Sequence, residues 1–145
     1  MDRATKRVVV GPTSLGLGVF AGRSFRRNQT IGHIEGDFVD DPDYGSDYCI
    51  DLGPGYLLEP AAPFRYLNHS CEPNAQLWCV DGEVGEPPTA CLTALRTIRP
   101  GEELTIDYGW SADVAIPCGC GTATCRGWVV SPEELPKLTR RRRSR

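Results

Sequence analysis

Apolar residues in this chain come in short runs broken by glycine, proline and acidic residues, and the runs do not repeat at the spacing of a helix face. Residues 7–10 are rich in β-branched side chains and read as a strand, which Gly11-Pro12 closes as a turn. After a polar, basic connection over 24–29, residues 30–35 read as a second strand with imperfect alternation. The acidic stretch 37–47, broken by Pro42 and Gly45, reads as a loop. Residues 48–52 and 56–58 form a hairpin-like pair around Gly53-Pro54-Gly55, and residues 75–80 and 89–95 alternate well enough to be antiparallel partners. Residues 65–74 are too short and too polar for a long helix and predict one tight turn. A final strand is expected over 104–108 and a short helix at Pro132-Glu133-Glu134. Many short strands, with sixteen glycines and twelve prolines, indicate a mainly β domain with little helix and no internal repeat.

Length and composition narrow this picture. A chain of 145 residues is the size of one ordinary domain and buries enough surface to fold without a disulfide scaffold. No apolar run reaches the ~18 residues that span a bilayer, and the first residues lack the apolar core of a signal peptide. The expectation is an intracellular protein, cytoplasmic if bacterial and nuclear if eukaryotic, with no membrane partner. The net charge of -3 hides a division: residues 1–136 carry ten basic against nineteen acidic side chains, a net of -9, while six basic residues follow. Such an acidic body either draws in lysine-rich peptides or is simply a solvated, solubilising surface, and it repels nucleic acid, leaving the arginine tail as the one segment suited to nucleic acid.

Seven cysteines without an export signal favour thiol or metal chemistry over a disulfide framework. Cys49, Cys79 and Cys91 sit singly in apolar runs, and small buried hydrophobes are the ordinary reading for them. Cys118-x-Cys120-x4-Cys125 is different, since three thiols in a glycine-rich loop suit a metal, although zinc in a structural site needs a fourth ligand. Three further stretches are dense in chemistry. Gly16-Leu17-Gly18 lets the backbone approach a ligand closely or simply turn, and no helix start follows it, which excludes a dinucleotide fingerprint. Residues 65–74 place Asn68, His69, Cys71 and Asn74 beside one turn, where Asn68 and His69 serve either as capping groups or as ligand contacts. Residues 102–109 end in Asp107-Tyr108-Gly109.

Together and in this order, these four segments resemble a SET domain with its zinc-binding post-SET tail, the family of S-adenosylmethionine-dependent protein lysine methyltransferases. The resemblance covers residues 7–130. It implies a SET domain (β-clip) over 7–110, made of short antiparallel strands with a knot-like C-terminal segment, a zinc-bound post-SET loop over 111–130 and a basic, disordered tail over 131–145. It implies S-adenosyl-L-methionine as methyl donor, held by Gly16, Leu17 and Gly18, by Tyr48 or alternatively Tyr56, by Asn68 and His69, and by Trp128 covering it. Zn2+ would be held by Cys71, Cys118, Cys120 and Cys125, with Cys71 as the fourth ligand. Tyr108 takes the place of the catalytic tyrosine. The implied substrate is a lysine of a basic protein such as a histone tail.

The chain departs from the family at Ile106, where many relatives carry Phe or Tyr, and this leaves the number of methyl groups added open. Trp110 borders the lysine channel or packs in the core, and His33 is expected to be structural or merely exposed. An alternative of another class is a non-catalytic zinc-stapled module that binds a basic peptide. Such a module keeps the thiols and has no need of Tyr108, Asn68 or the glycine pair, all of which are present here.

Overall fold

The computed structural model describes residues 6–40, 49–52 and 56–138. As the short apolar runs imply, it is built mainly of strands: β1 (Val8–Thr13), β2 (Gly16–Ala21), β3 (Thr30–Ile34), β4 (Gly36–Val39), β5 (Ile50–Asp51), β6 (Leu57–Pro60), β7 (Asn68–His69), β8 (Ala75–Val80), β9 (Thr89–Ala94) and β10 (Glu103–Ile106). They assemble into three small sheets, ordered β1-β2-β10-β7, β3-β9-β8 and β4-β6-β5. Inward residues of all three meet in one core, where Val19, Phe25, Ile31, Leu92, Ile98 and Leu104 are fully buried. Each such side chain contributes roughly 1.5–3 kcal/mol by leaving water.

Four local expectations change. Gly11 and Pro12 do not end β1 but lie within it, opposite Gly18 and Leu17. β1 is the edge of its sheet, so the missing proline N–H costs no ladder bond there. The chain reverses at Ser14-Leu15 instead, where the Thr13 hydroxyl accepts from the Leu15 N–H and donates to the Gly16 carbonyl. Residues 37–39, expected in an acidic loop, belong with Gly36 to β4, because β6 offers an antiparallel edge from Gly36↔Pro60 to Val39↔Leu57. Cys79 is exposed rather than buried, and Cys49 and Cys91 are only half-buried. The last strand stops at Ile106, so Tyr108 stands beyond its end.

The feature that positions the site is the pairing of β10. One side of it runs antiparallel to β2, with Leu104 opposite Val19. On its other side Thr105 and Ile106 run parallel to Asn68 and His69 of β7. A parallel pair needs a long crossover, and here that crossover is the whole β8–β9 hairpin. The approach to β7 is set by a 3-10 turn, Phe64–Tyr66. Its Phe64 ring rests on bare backbone at Gly32, where a Cβ would come within 2.8 Å of the ring. No helix among the described residues is long and apolar enough to cross a membrane.

Candidate active site

Two asparagines that flank a turn fasten β7 and β10 to their surroundings. Asn74, 3% exposed, donates from Nδ2 to the Glu103 carbonyl (2.8 Å) and accepts the Thr105 N–H at Oδ1 (2.9 Å). Its amide thus stands in for a strand residue beside β10. Asn68 donates from Nδ2 to the Leu17 carbonyl (3.1 Å) and to the Glu103 carboxylate (2.9 Å). This joins the hairpin β1–β2 to β7 and β10.

His69 is buried, and its Nδ1 accepts the Tyr108 N–H at 3.0 Å. Burial lowers its pKa, against the pull of Asp107 and with help from Arg126. A ring nitrogen that accepts a backbone N–H carries no proton, so the 3.7 Å approach of Asp107 Oδ1 to the same nitrogen is not an ion pair. The remaining N–H, on Nε2, lies 3.5 Å from Cys71 Sγ. A neutral imidazole therefore connects the thiol cluster to the backbone of Tyr108.

Tyr108 packs edge-on against His69 and tilts against Trp110, with ring centroids 5.4 and 5.2 Å away. Its hydroxyl donates to the Leu67 carbonyl at 2.5 Å. Two cavities meet at this residue. One, of about 330 Å³, has the apolar residues Phe64, Leu77, Ile106 and Trp110 and the acids Asp51 and Asp107 in its wall. The other, of about 230 Å³, is bordered by Leu15, Gly16, Leu17 and Asn68. Arg65, Leu67 and Tyr108 belong to both. A third cavity, of about 330 Å³, shares Leu15 and Asn68 with the second and continues past His69 and Ser70 to Gly119 and Cys120. A groove thus runs from the phenol to the cysteine loop. Leu15 and Leu17 at its rim are 58% and 48% exposed, apolar surface of the kind a ligand covers.

The ligand atoms of Cys71, Cys118, Cys120 and Cys125 all lie within 4.8 Å of one another. Cys71 Sγ and Cys118 Sγ are 3.9 Å apart, close to the ~3.8 Å that a tetrahedral ion with ~2.3 Å metal–sulfur bonds requires. Backbone N–H groups of Arg126, Cys120 and Gly127 point at the sulfurs of Cys71, Cys118 and Cys125. Burial, with neighbouring thiols, pushes Cys118 up to about 12. Cys120 feels burial too, yet hydrogen bonds from Thr122 and the backbone bring it down to about 6. Four sulfurs this close do not ionise together without a cation between them, and the donor set fits zinc.

The loop is also tied to the end of β10. Arg126 donates to Asp107 Oδ2 (2.7 Å) and to the Val130 carbonyl (2.5 Å), while Asp107 Oδ1 accepts the Gly109 N–H. Glu72 accepts the Thr124 N–H at 3.0 Å. A Cβ at Gly119 would lie 3.5 Å from the Leu15 side chain of the opposite hairpin.

Of the residues singled out in the sequence, Gly16, Leu17, Asn68, His69 and Tyr108 converge on the groove and the four cysteines on one point. Gly18 belongs to β2 and lines none of the three cavities; a Cβ there would strike Thr13, Glu103 and Asn68. Trp128 lines none of them either. Its backbone bridges Pro117, and Val129 and Val130 beside it turn into buried positions. Tyr48 lies outside the described residues, while Tyr56 is 40% exposed and packs on Phe38. Trp110 borders the first cavity, and His33 is exposed. Sequence reasoning assigned no part to Asn74, Glu103, Asp107 or Arg126. Their partners lie 19 to 35 residues away in the chain, and only the adjacency of Arg126 to Cys125 hinted at one of them.

The SET domain family model matches residues 16–109. The histone-lysine N-methyltransferase ash1 of Drosophila melanogaster is 39% identical over 90 residues, 57% of this chain and 4% of that protein. An H3 lysine-4 specific histone-lysine N-methyltransferase of Emericella nidulans is 44% identical over 94 residues, 59% of this chain and 7% of that protein. The chain thus spans a small fraction of the length of these relatives. Among solved structures, KRYPTONITE in complex with mCHG DNA and SAH superposes with a TM-score of 0.75 at 24% identity, covering 84% of this chain and 28% of that one. A second KRYPTONITE complex, with mCHH DNA, an H3(1-15) peptide and SAH, gives 0.73.

Proposed function

This chain belongs to the SET-domain family, and from that premise we propose that it transfers a methyl group from S-adenosylmethionine to a lysine of a basic protein, a histone tail being the first candidate. The observation that carries the reading is the position of Tyr108 in the wall shared by two cavities, one bordered by Asn68 and the Leu15–Leu17 turn, the other by Phe64, Leu77, Ile106 and Trp110. A donor in one cavity and an acceptor in the other would meet at the residues the two share, Arg65, Leu67 and Tyr108. Relatives named as histone-lysine methyltransferases, and SAH and an H3 peptide bound to a protein of the same fold, support both the donor and the substrate class. A histone substrate also places the protein in the nucleus of a eukaryotic cell.

Residues of this chain account for the chemistry. The donor supplies a sulfonium-activated methyl group; Gly16, Leu17, Asn68 and His69 border the groove that would hold it. Asp51 in the wall of the first cavity attracts a lysine ammonium toward it, while Asp107 there is already paired with Arg126; the apolar residues and the positive sulfonium then disfavour the charged form. That matters because an amine with a reference pKa near ~10.4 has no lone pair to attack with at neutral pH. The Tyr108 hydroxyl spends its one hydrogen bond as a donor on the Leu67 carbonyl, so its oxygen presents lone pairs to an incoming N–H and orients the amine. Zinc at Cys71, Cys118, Cys120 and Cys125 would hold the loop over 118–128 against the groove and supply folding energy rather than catalysis.

Incubation with isotopically labelled S-adenosylmethionine and a set of histones, followed by mass spectrometry, tests this. A labelled lysine is expected, and Tyr108→Phe should bind SAH normally while transferring about 10²-fold more slowly, the usual cost of one positioned catalytic group. A zinc-loaded protein that binds the donor but labels no protein substrate refutes the enzymatic reading.

A further inference from the structure

Resting on the reading of the Asn68 groove as the methyl-donor site, we propose that Glu103 is a positioning residue that fixes which end of the Asn68 amide faces the groove, and thereby sets recognition of the donor's α-ammonium group. Asn68 Nδ2 lies 3.1 Å from the Leu17 carbonyl and 2.9 Å from Glu103 Oε2. Both neighbours are acceptors without a hydrogen. A flipped amide would set its own oxygen against two others, so the two acceptors dictate the orientation. Both N–H groups are then engaged, and Oδ1 has no donor among the described residues, on a side chain that borders two cavities. The Leu17 carbonyl alone engages one hydrogen and leaves the amide free to tilt; the carboxylate takes the second.

Two further features show that this contact is built into the fold. Glu103 is held from both sides of its strand, by its register with Phe20 and by Asn74, which donates to its carbonyl. Residue 18 is glycine where the contact passes: a Cβ there would sit 2.7 Å from Glu103 Oε2 and 3.1 Å from Asn68 Nδ2. Gly18 therefore makes room for the Glu103–Asn68 pair rather than for the ligand itself. What Oδ1 then asks of a ligand is a hydrogen-bond donor. Glu72 and Glu103 in the wall of the adjoining cavity favour a cationic one, Glu102 there being paired with Arg96, and in S-adenosylmethionine that donor is the α-ammonium.

Calorimetric titration of the zinc-loaded protein with S-adenosylhomocysteine, and with its analogue lacking the α-amino group, tests the assignment. Glu103→Met, similar in size but without an acceptor, is expected to weaken S-adenosylhomocysteine about tenfold, the scale of one lost charge-assisted contact, and to leave the analogue within about twofold of wild type. Glu103→Gln, which keeps an acceptor oxygen, should restore affinity to within about threefold. Thermal melting is recorded first; if Glu103→Met is unfolded, Glu103→Asp, too short by one methylene to reach Asn68, takes its place. Equal weakening of both ligands overturns the assignment in favour of general loosening, and a Glu103→Gln protein as weak as Glu103→Met overturns it in favour of bare charge. Unchanged affinity in every variant overturns it outright. No binding of S-adenosylhomocysteine by the wild type refutes the donor-site reading beneath it as well.

Discussion

Replacing Asn74 by alanine gives the sharpest test of how β10 is held. The side chain is 3% exposed and supplies both a donor to the Glu103 carbonyl and an acceptor for the Thr105 N–H. Alanine leaves these two backbone groups without partners in a place that water barely reaches. Each stranded group costs ~1–3 kcal/mol, so Asn74→Ala should lose about 3 kcal/mol, a large share of the ~5–15 kcal/mol that a domain has. With a urea slope of ~2 kcal/mol/M, the unfolding midpoint should fall by about 1.5 M. Urea unfolding followed by tryptophan fluorescence, at fixed excess zinc so that metal linkage is constant, measures the shift. Because β10 leads directly to Tyr108, S-adenosylhomocysteine affinity should fall in the same variant. A loss below ~0.5 kcal/mol with an unchanged slope, the range of an ordinary surface substitution, refutes the idea that this amide replaces a strand partner.

Other perturbations test the links around it. Cys71→Ser removes one of four thiolates, and zinc measured by mass spectrometry should fall from about one equivalent toward zero at moderate chelator concentration, with protease cleavage appearing within 111–130; full zinc retention sinks the four-thiol site. Arg126→Lys cannot serve the Asp107 carboxylate and the Val130 carbonyl together, and should cost ~1–3 kcal/mol and expose the same segment to protease; unchanged protection contradicts the tie. Glu102 accepts the Arg99 N–H and sits by Arg96, which lowers its pKa. Its contribution is therefore present above the ordinary value of 4.5 and is lost as pH falls through the lowered one. With the side chain 34% exposed, that contribution is under ~1 kcal/mol. Melting curves of wild type and Glu102→Gln should differ at pH ~6, and the gap should shrink as pH falls below 4.5 and through the lowered pKa; a gap that stays constant with pH excludes a titrating origin.

Much of the fold was legible from local signals. The β8–β9 and β5–β6 pairs follow from alternation bounded by turn residues, since period two and turn chemistry act over a few residues. Strand β4 was hidden because Asp37-Phe38-Val39 opens the acidic stretch 37–47 that reads as a loop, and becomes a strand only through the edge of β6. Gly11-Pro12 punctuates a sequence, yet at a sheet edge it is no barrier. Within the site, Cys118, Cys120 and Cys125 form a compact thiol motif in the sequence itself, whereas the parts expected of Asn68, His69, Cys71 and Tyr108 came from the resemblance to the SET family.

By itself the chain determined which chemistry was available: a thiol set for a metal, an Asn-His pair beside a turn, a tyrosine after a strand, and an acidic body. Tertiary structure alone decided who holds them. The parallel β7–β10 pairing brings Glu103 to Asn68 and Asn74, Asp107 to Arg126, and His69 between Cys71 and Tyr108. These are contacts between segments far apart in the chain. Hydrogen bonds and ion pairs act over a few ångströms of space, whereas local sequence patterns report only on neighbours along the backbone.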